Sequence, residues 1–299
     1  MEPILERLRS GDVLVADGAM GTMLFQRGLQ PGQCPESLNL THSAVLEEIA
    51  SLYLQAGADI VQTNTFGGSP LKLANYRLEM QTAQVNRNAV SCARNAVGDR
   101  AYVSGSCGPC GEMLQPYGTV DEATMSRGFG EQVSALIDAG VDLVCVETMT
   151  DLREATLAVK AVKSTSPLTP VMATMTFDRI PRGYYTIMGV SIEQAVAGLT
   201  EAGADVIGSN CGHGVDAMID IARQIRAVSD KPIVIQSNAG LPAQQGDKIV
   251  YPESPDFFAE KTAELIEAGV SIIGGCCGTT PEHIRAIRLA VDSGARKRR

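Results

Sequence analysis

The chain has 299 residues, of which 44% are hydrophobic, and a formal net charge of -9 at pH 7. This is enough apolar material for one large α/β domain or two ordinary ones. Because residues 296–299 are all basic, the rest of the chain carries -13 once their four positive charges are set aside. We therefore expect no nucleic-acid partner, and we interpret residues 296–299 as a solvated basic tail.

The sequence contains no run of about 18 apolar residues, and its first residues lack the apolar stretch of a secretory leader. We therefore expect a cytoplasmic protein without a membrane partner. Eight cysteines in a chain of this length are too few for a disulfide scaffold, and their positions at the ends of apolar runs favour reduced thiols.

In chain order, a short helix is predicted near residues 2–10 and a first strand at 13–16. The chain then repeats a unit in which a helical pattern ends at Ala-Gly and a β-branched strand follows at once. The glycine suits the left-handed position after a helix, and the apolar run suits a strand buried on both faces. Strands of this repeat lie at 58–61, 141–144, 204–207 and 270–273; three further strands are predicted at 101–104, 170–174 and 232–236, and a longer loop near 180–190.

Eight strands that alternate with helices fit a single (β/α)8 TIM barrel over residues 1–295 better than an open, doubly wound sheet. Active residues of such barrels collect where the strands end. Polar or thiol groups follow every predicted strand, namely Asp17, Thr63 with Asn64, Cys107, Glu147, Thr176, Asn210 with Cys211, Asn238, and Cys276 with Cys277. We expect these groups to face one mouth of the barrel.

Cys276 and Cys277 are adjacent, and they follow an apolar run at Gly274 and Gly275. Vicinal cysteines form a strained disulfide, but their two thiolates can bind one soft metal ion from the same side. Cys211, which also ends an apolar run and precedes a glycine, is the best candidate for a third ligand. Three sulfur ligands and one open position are typical of catalytic zinc, which can lower the pKa of a bound substrate thiol and activate it for alkylation.

Two acidic residues at strand ends are candidate ligands for a substrate amino group. Asp17 is followed by Gly18, which lets a small ligand approach the backbone, although an aspartate there also suits a turn at a helix start. Glu147 ends an apolar strand, where its charge needs a partner. A substrate ammonium or an arginine of the chain would serve equally.

Two further motifs have competing interpretations. Cys107 and Cys110 have the spacing of a thioredoxin-type redox pair, but Gly111 follows and the chain is far longer than a thioredoxin domain, so a turn at the barrel mouth is favoured. His213 could be a fourth metal ligand, although three sulfurs already suffice.

Several segments carry a family resemblance, and the most specific is Gly-Gly-Cys-Cys-Gly-Thr-Thr-Pro-Glu-His at 274–283. The supporting segments are 17–24, 58–66, 147–148, 210–212 and 238–242. Over essentially its whole length the chain resembles the zinc-dependent homocysteine S-methyltransferase family, most closely the homocysteine-binding N-terminal module of cobalamin-dependent methionine synthase.

This resemblance implies a (β/α)8 barrel in which Cys211, Cys276 and Cys277 hold zinc, and zinc binds the thiol of homocysteine. It implies that Asp17 and Glu147 hold the amino acid end, and that methylcobalamin on a separate corrinoid protein donates the methyl group to give methionine. The full set of candidate substrate-binding residues is Asp17, Gly18, Ala19, Met20, Thr63, Asn64, Glu147, Asn210 and Asn238.

The chain departs from the family pattern at 107–110, where Gly-Pro-Thr is usual, and in the loop 179–189. One alternative is therefore the substrate-specific methyltransferase of a multi-protein corrinoid demethylation system. A second is a barrel that only binds an amino acid or a partner, with structural zinc closed by His213. A dithiol oxidoreductase that uses Cys107 and Cys110 is a third.

Overall fold

The computed structural model describes residues 1–246 and 248–297. Its strands are β1 (Leu14–Val15), β2 (Ile60–Gln62), β3 (Tyr102–Cys107), β4 (Leu143–Met149), β5 (Val171–Met175), β6 (Asp178–Ile180), β7 (Gly183–Tyr185), β8 (Val206–Asn210), β9 (Ile233–Ser237), β10 (Ala243–Gln245), β11 (Lys248–Val250) and β12 (Val270–Gly275). Its α-helices are α1 (Ile4–Arg9), α2 (Met20–Gln26), α3 (Leu38–Thr41), α4 (Ser43–Ala56), α5 (Pro70–Leu73), α6 (Thr82–Val97), α7 (Glu122–Asp138), α8 (Leu152–Thr165), α9 (Ile192–Ala202), α10 (Val215–Val228), α11 (Pro255–Glu267) and α12 (Pro281–Lys297).

Eight parallel strands form the barrel in the order β1-β12-β9-β8-β5-β4-β3-β2. The two ends of this sheet meet, because Ala16 bridges Ile60 in parallel and the Asp59 N–H donates to the Val15 carbonyl at 2.7 Å. The TIM-barrel prediction is therefore confirmed. No helix in the described part of the chain is long and apolar enough to cross a bilayer.

The predicted strands and the N-terminal helix all occur, with ends that shift by a few residues. The segment near 180–190 is not a plain loop, because β6 and β7 pair there as an antiparallel hairpin. A second hairpin, β10 with β11, follows β9 and was not predicted. In the region predicted as a basic tail, α12 extends to Lys297, and residues 298 and 299 lie outside the described residues.

The Ala-Gly repeat has a structural role beyond ending a helix. Gly57 and Gly203 take the left-handed conformation, with φ of 99° and 103°, which glycine adopts without steric cost. The aspartate two residues later accepts a hydrogen bond from a backbone N–H of the neighbouring strand and pairs with a cation. We call each such aspartate, together with its N–H donor and its cation, an aspartate brace. The three braces are Asp59 with Val15 and Arg288, Asp142 with Val103 and Arg94, and Asp205 with Val171 and Lys163.

The barrel interior changes from apolar to polar along its axis. At the N-terminal end, Ile4 and Leu8 of α1 pack against inward-facing strand residues. Alternate residues of a strand point inward, so three strands each present an apolar, a small and a polar or thiol residue in turn. These triplets are Leu143-Cys145-Glu147, Val206-Gly208-Asn210 and Ile272-Gly274-Cys276. The third members all lie at the C-terminal mouth.

The glycines in these triplets permit close packing of the strands. A Cβ atom on Gly208 would overlap the backbone of Val234, and one on Gly274 would lie 2.8 Å from the Cβ of Ala16. Neither position can accept a larger side chain without movement of the barrel itself.

Candidate metal centre and adjoining carboxylates

The three predicted cysteines converge at the barrel mouth. Cys211 follows β8, Cys276 and Cys277 follow β12, and their three sulfur atoms all lie within 4.8 Å of one another. The Sγ atoms of Cys211 and Cys277 are 3.9 Å apart. Cys211 has a φ of 60°, a left-handed conformation that a non-glycine residue adopts at some cost in strain.

This arrangement fits a tetrahedral zinc ion. Zinc–sulfur bonds of about 2.3 Å at tetrahedral angles place two sulfurs about 3.8 Å apart, close to the separation of Cys211 and Cys277. Within the described residues no fourth cysteine, histidine or carboxylate joins the group. His213 lies instead edge-on to the Tyr184 ring, and its backbone N–H donates to the Cys211 carbonyl.

The contacts among the three cysteine side chains also favour the thiolate form of Cys211. The neighbouring thiols of Cys276 and Cys277 lower the pKa of Cys211, while the proximity of Cys211 raises the pKa of Cys276. A thiolate at Cys211 is therefore stabilised by the thiols beside it. Thiolate is the form of cysteine that binds metals.

Two buried carboxylates adjoin the cysteines. Burial raises the pKa of Asp17 to about 8 and that of Glu147 to about 7. Asp17 accepts a hydrogen bond from the Gln62 N–H at 2.8 Å, and Glu147 accepts one from the Ser106 hydroxyl. None of the ion pairs among the described side chains involves either carboxylate, so the arginine partner that Glu147 could have had is not observed.

The loop after β1 is held by hydrogen bonds to α4 and to the loop after β12, which carries Cys276 and Cys277. The N–H of Ala19 donates to the Thr279 hydroxyl, and its carbonyl accepts from the Tyr53 hydroxyl. Gly18 lies against both of these side chains, and Met20 begins α2. These contacts bring the predicted segment 17–20 to the rim of the metal site.

The remaining predicted residues are also at the mouth, with different surroundings. Asn238 is buried, its backbone N–H donates to the His213 carbonyl, and its nearby side chain helps lower the pKa of Cys211. Thr63 pairs with the Thr65 hydroxyl at 2.6 Å, and the Asn64 amide donates to the Pro35 carbonyl and the Asn39 side chain.

Tyr251 is a site residue that the sequence did not reveal. Its ring fills the space where Gly278 would carry a Cβ atom. Burial and the neighbouring Cys277 sulfur raise the pKa of its phenol to about 12. It follows an exposed hairpin, 26 residues before Cys277, so no spacing or periodicity links it to the cysteines.

The structure does not support a redox role for Cys107 and Cys110. Both thiols are buried, and burial raises the pKa of each, which disfavours the reactive thiolate form. Cys107 ends β3 and the next helix begins only at Glu122, so the pair does not open a helix as a reactive dithiol does. Their neighbours are Gln132, which accepts from the Cys107 thiol, and Glu154, which accepts from the Cys110 N–H.

Comparison with known proteins supplies a family for this geometry. Residues 14–291 match the homocysteine S-methyltransferase family. The methionine synthases of Mycobacterium leprae (strain TN) and Mycobacterium tuberculosis (strain ATCC 25618 / H37Rv) are each 35% identical to the chain over 298 residues. These alignments cover 93% of this chain and 24% of each synthase, so the chain spans about a quarter of the length of these relatives.

The fold has a solved counterpart in the metallated form of the homocysteine methyltransferase MmuM from Escherichia coli, with a TM-score of 0.79. The superposition covers 96% of this chain and 99% of that one at 23% identity, a level at which the likeness concerns the fold alone. Because the family match spans nearly the whole barrel, the chain belongs to the homocysteine S-methyltransferase family.

Proposed function

We propose that this chain methylates homocysteine to methionine, with methylcobalamin on a separate corrinoid protein as the methyl donor. The observation that carries the proposal is the cluster of three cysteine sulfurs next to two buried carboxylates that have no cationic partner among the described side chains. A small amino acid with a thiol and an ammonium group matches both features at once. The 35% identity to two methionine synthases supports the same reaction.

We assign zinc to Cys211, Cys276 and Cys277, whose sulfur atoms all lie within 4.8 Å of one another. Bound there, zinc would supply Lewis-acid activation that keeps a substrate thiol deprotonated near neutral pH. Three thiolates leave one tetrahedral position open for that thiol. Reduced cysteines suit a reducing compartment such as the cytoplasm.

The carboxylates of Asp17 and Glu147 would bind the ammonium group of the acceptor. An unpaired carboxylate in a buried site is costly, and an ammonium ion that arrives with the substrate removes much of this cost. We further assign Gly18, Ala19, Met20, Thr63, Asn64 and Asn238 to the walls that enclose the acceptor.

A corrinoid demethylation component would use the same zinc chemistry with another substrate. The β6–β7 hairpin favours this alternative, because it lies in the segment that departs from the family pattern and its outer side chains are exposed. Structural zinc closed by His213 is disfavoured, since among the described residues His213 does not join the group of three sulfurs.

The test is demethylation of free methylcobalamin by the zinc-loaded protein, with homocysteine, cysteine and a simple alkyl thiol as acceptors. The proposal predicts methionine formation that requires zinc and is fastest with homocysteine. Zinc-loaded protein that transfers no methyl group to homocysteine would contradict the proposal and favour the demethylation alternative.

A further inference from the structure

The side chain of Asn210, at the end of β8, is fully engaged by the protein. Its Oδ1 accepts hydrogen bonds from the Thr148 N–H at 2.8 Å and from the Thr174 hydroxyl at 2.7 Å. Its Nδ2 donates to the Thr148 hydroxyl at 2.7 Å. Asn210 is also completely buried, and this leaves no free acceptor on its side chain for a substrate, the role that the sequence predicted.

Thr148, which Asn210 contacts twice, has an unusual backbone. Its φ is 58°, although β-branched residues strongly avoid the left-handed region. The pairing of β4 with β5 shifts register between Val146 and Met149, so the strand bulges at this point. Such strain persists only where surrounding contacts enforce it. The two hydrogen bonds between Thr148 and Asn210, one accepted and one donated by the Asn210 side chain, are contacts of this kind.

Glu147 lies within this bulge, and the side chain of Asn210 lies between Glu147 and the metal site. Its Nδ2 lies 3.4 Å from Oε2 of Glu147 and 3.8 Å from Sγ of Cys276. The amide group therefore stands between the carboxylate that we assign to the ammonium group and a sulfur that we assign to zinc.

We propose that Asn210 is a positioning residue that holds the β4 bulge, orients Glu147 toward the acceptor, and donates to the Cys276 sulfur. This inference rests on the proposed function for the identity of the acceptor. It makes Asn210 act through Glu147 and Cys276 and not by touching homocysteine. Hydrogen bonds to metal ligands from outside the coordination sphere are known to tune a metal site.

Binding to the Co²⁺-substituted protein tests the inference without any methyl transfer. Homocysteine and a simple alkyl thiol would each be titrated while the near-ultraviolet band from thiolate to cobalt is recorded. We expect Asn210→Ala to weaken homocysteine binding about tenfold or more, because one misplaced charged contact costs on the order of 1.5–3 kcal/mol. Binding of the alkyl thiol should change less than about threefold, within ordinary mutational scatter.

A double-mutant cycle with Glu147→Gln separates positioning from direct contact. If Asn210 acts through Glu147, the double variant should bind homocysteine about as weakly as the weaker single variant. Multiplicative losses would mean that Asn210 contacts the substrate independently, and unchanged binding in Asn210→Ala would remove its role altogether. Ser209→Ala is the matched control, because Ser209 is buried on the same strand but donates to the Met175 carbonyl.

The cobalt band itself tests the contact with Cys276. Asn210→Ala should shift the band while about one metal ion per chain is retained, and Ser209→Ala should not shift it. If Asn210→Ala does not fold, Asn210→Asp keeps the oxygen that accepts from Thr148 and Thr174 but lacks the donating amide, and it should shift the band too. An unshifted band in both variants overturns the inference. A third outcome would contradict only the proposed function: Asn210→Ala weakens homocysteine binding as expected, but the wild-type protein transfers no methyl group.

Discussion

At the scale of single residues, the chemistry of the mouth divides between sulfur and carboxylate. The three sulfurs lie within 4.8 Å of one another with no fourth cysteine, histidine or carboxylate in their group among the described residues. The two buried carboxylates form no ion pair with any described side chain. Each group lacks a partner that one amino-thiol substrate could provide. This complementarity leads to three predictions.

Replacing Cys211, Cys276 or Cys277 by alanine should each reduce zinc from about one ion per chain to a small fraction, because two thiolates bind zinc far less tightly than three. Metal analysis of the purified variants measures this. Cys92→Ala is the control, since Cys92 is buried on α6 away from the cluster. Full zinc content in all three cluster variants would refute the site.

Asp17→Asn and Glu147→Gln should each raise the KM for homocysteine about ten- to hundredfold with little change in zinc content, because each removes a charged contact worth on the order of 1.5–3 kcal/mol. Use of a simple alkyl thiol should be nearly indifferent to both changes. Glu154→Gln, which alters a buried carboxylate near Cys110, serves as the control. Equal losses for both acceptors would show that the carboxylates only support the mouth.

The pH dependence should distinguish the two acceptors as well. Because burial raises the pKa of Glu147 to about 7 and that of Asp17 to about 8, both are largely protonated near pH 6 and ionise as the pH rises. An ammonium group binds the ionised form, so the preference for homocysteine over an alkyl thiol should increase from pH 6 to pH 8.5. The alkyl thiol is chosen with a thiol pKa matched to that of homocysteine, so that thiol ionisation cancels in the ratio. A pH-independent ratio of kcat/KM values would contradict this.

Sequence reasoning found the cysteines and carboxylates because each ends a recognisable strand. It did not find that the Asn210 amide is engaged with Thr148, since that contact depends on a bulge in β4 that no residue pattern marks. Ser106 could have been found, because Tyr102, Ser104 and Ser106 alternate along β3 and therefore share the inward face. Tyr251 could not, because its contact with Gly278 is purely tertiary.

At the scale of elements, the Ala-Gly repeat made the barrel predictable. Each repeat marks a helix end and a strand start in a few residues, so both element types and their order could be derived. The hairpins β6–β7 and β10–β11 were missed because neither has the alternating burial of a core strand; β6 and β10 are exposed along their whole length. The β-propensity of a segment largely reflects how its side chains pack against neighbours. It therefore gives little signal for exposed strands such as these.

The aspartate braces should contribute measurably to stability. Asp205→Ala should lower the free energy of unfolding by about 1–3 kcal/mol, because it leaves the Val171 N–H without its acceptor and Lys163 without its partner. Asp205→Asn keeps an oxygen acceptor and should cost less. Asp216→Ala removes an exposed partner of Lys261 and should cost little. Urea unfolding of the three variants measures the order, and an Asp216→Ala loss as large as that of Asp205→Ala would contradict it.

At the scale of the whole molecule, stability and chemistry occupy opposite ends of the barrel. The apolar interior cluster and the braces lie at the N-terminal end of the strands, and the sulfurs and carboxylates lie at the C-terminal end. TIM barrels commonly separate the two in this way. We therefore expect the core to form without the metal.

Removal of zinc by a chelator should leave the fold intact. A core of this size does not depend on one ion, so circular dichroism should retain its helical spectrum and thermal unfolding should remain a single cooperative transition. Chelated Cys276→Ala, which has already lost a ligand, is the control and should unfold at nearly the same temperature with and without chelator. Loss of the cooperative transition in the chelated wild type would show that the ion is structural.

The glycines inside the barrel have a consequence for evolution and engineering of acceptor preference. Gly208 and Gly274 separate the apolar floor from Asn210 and Cys276, and neither tolerates a Cβ atom without a clash. The distance between the apolar interior and the residues at the mouth is therefore fixed by backbone packing and not by exchangeable side chains. The same packing fixes the depth that is available to an acceptor. Acceptors of other lengths must be accommodated from above, by remodelling the loops of the mouth.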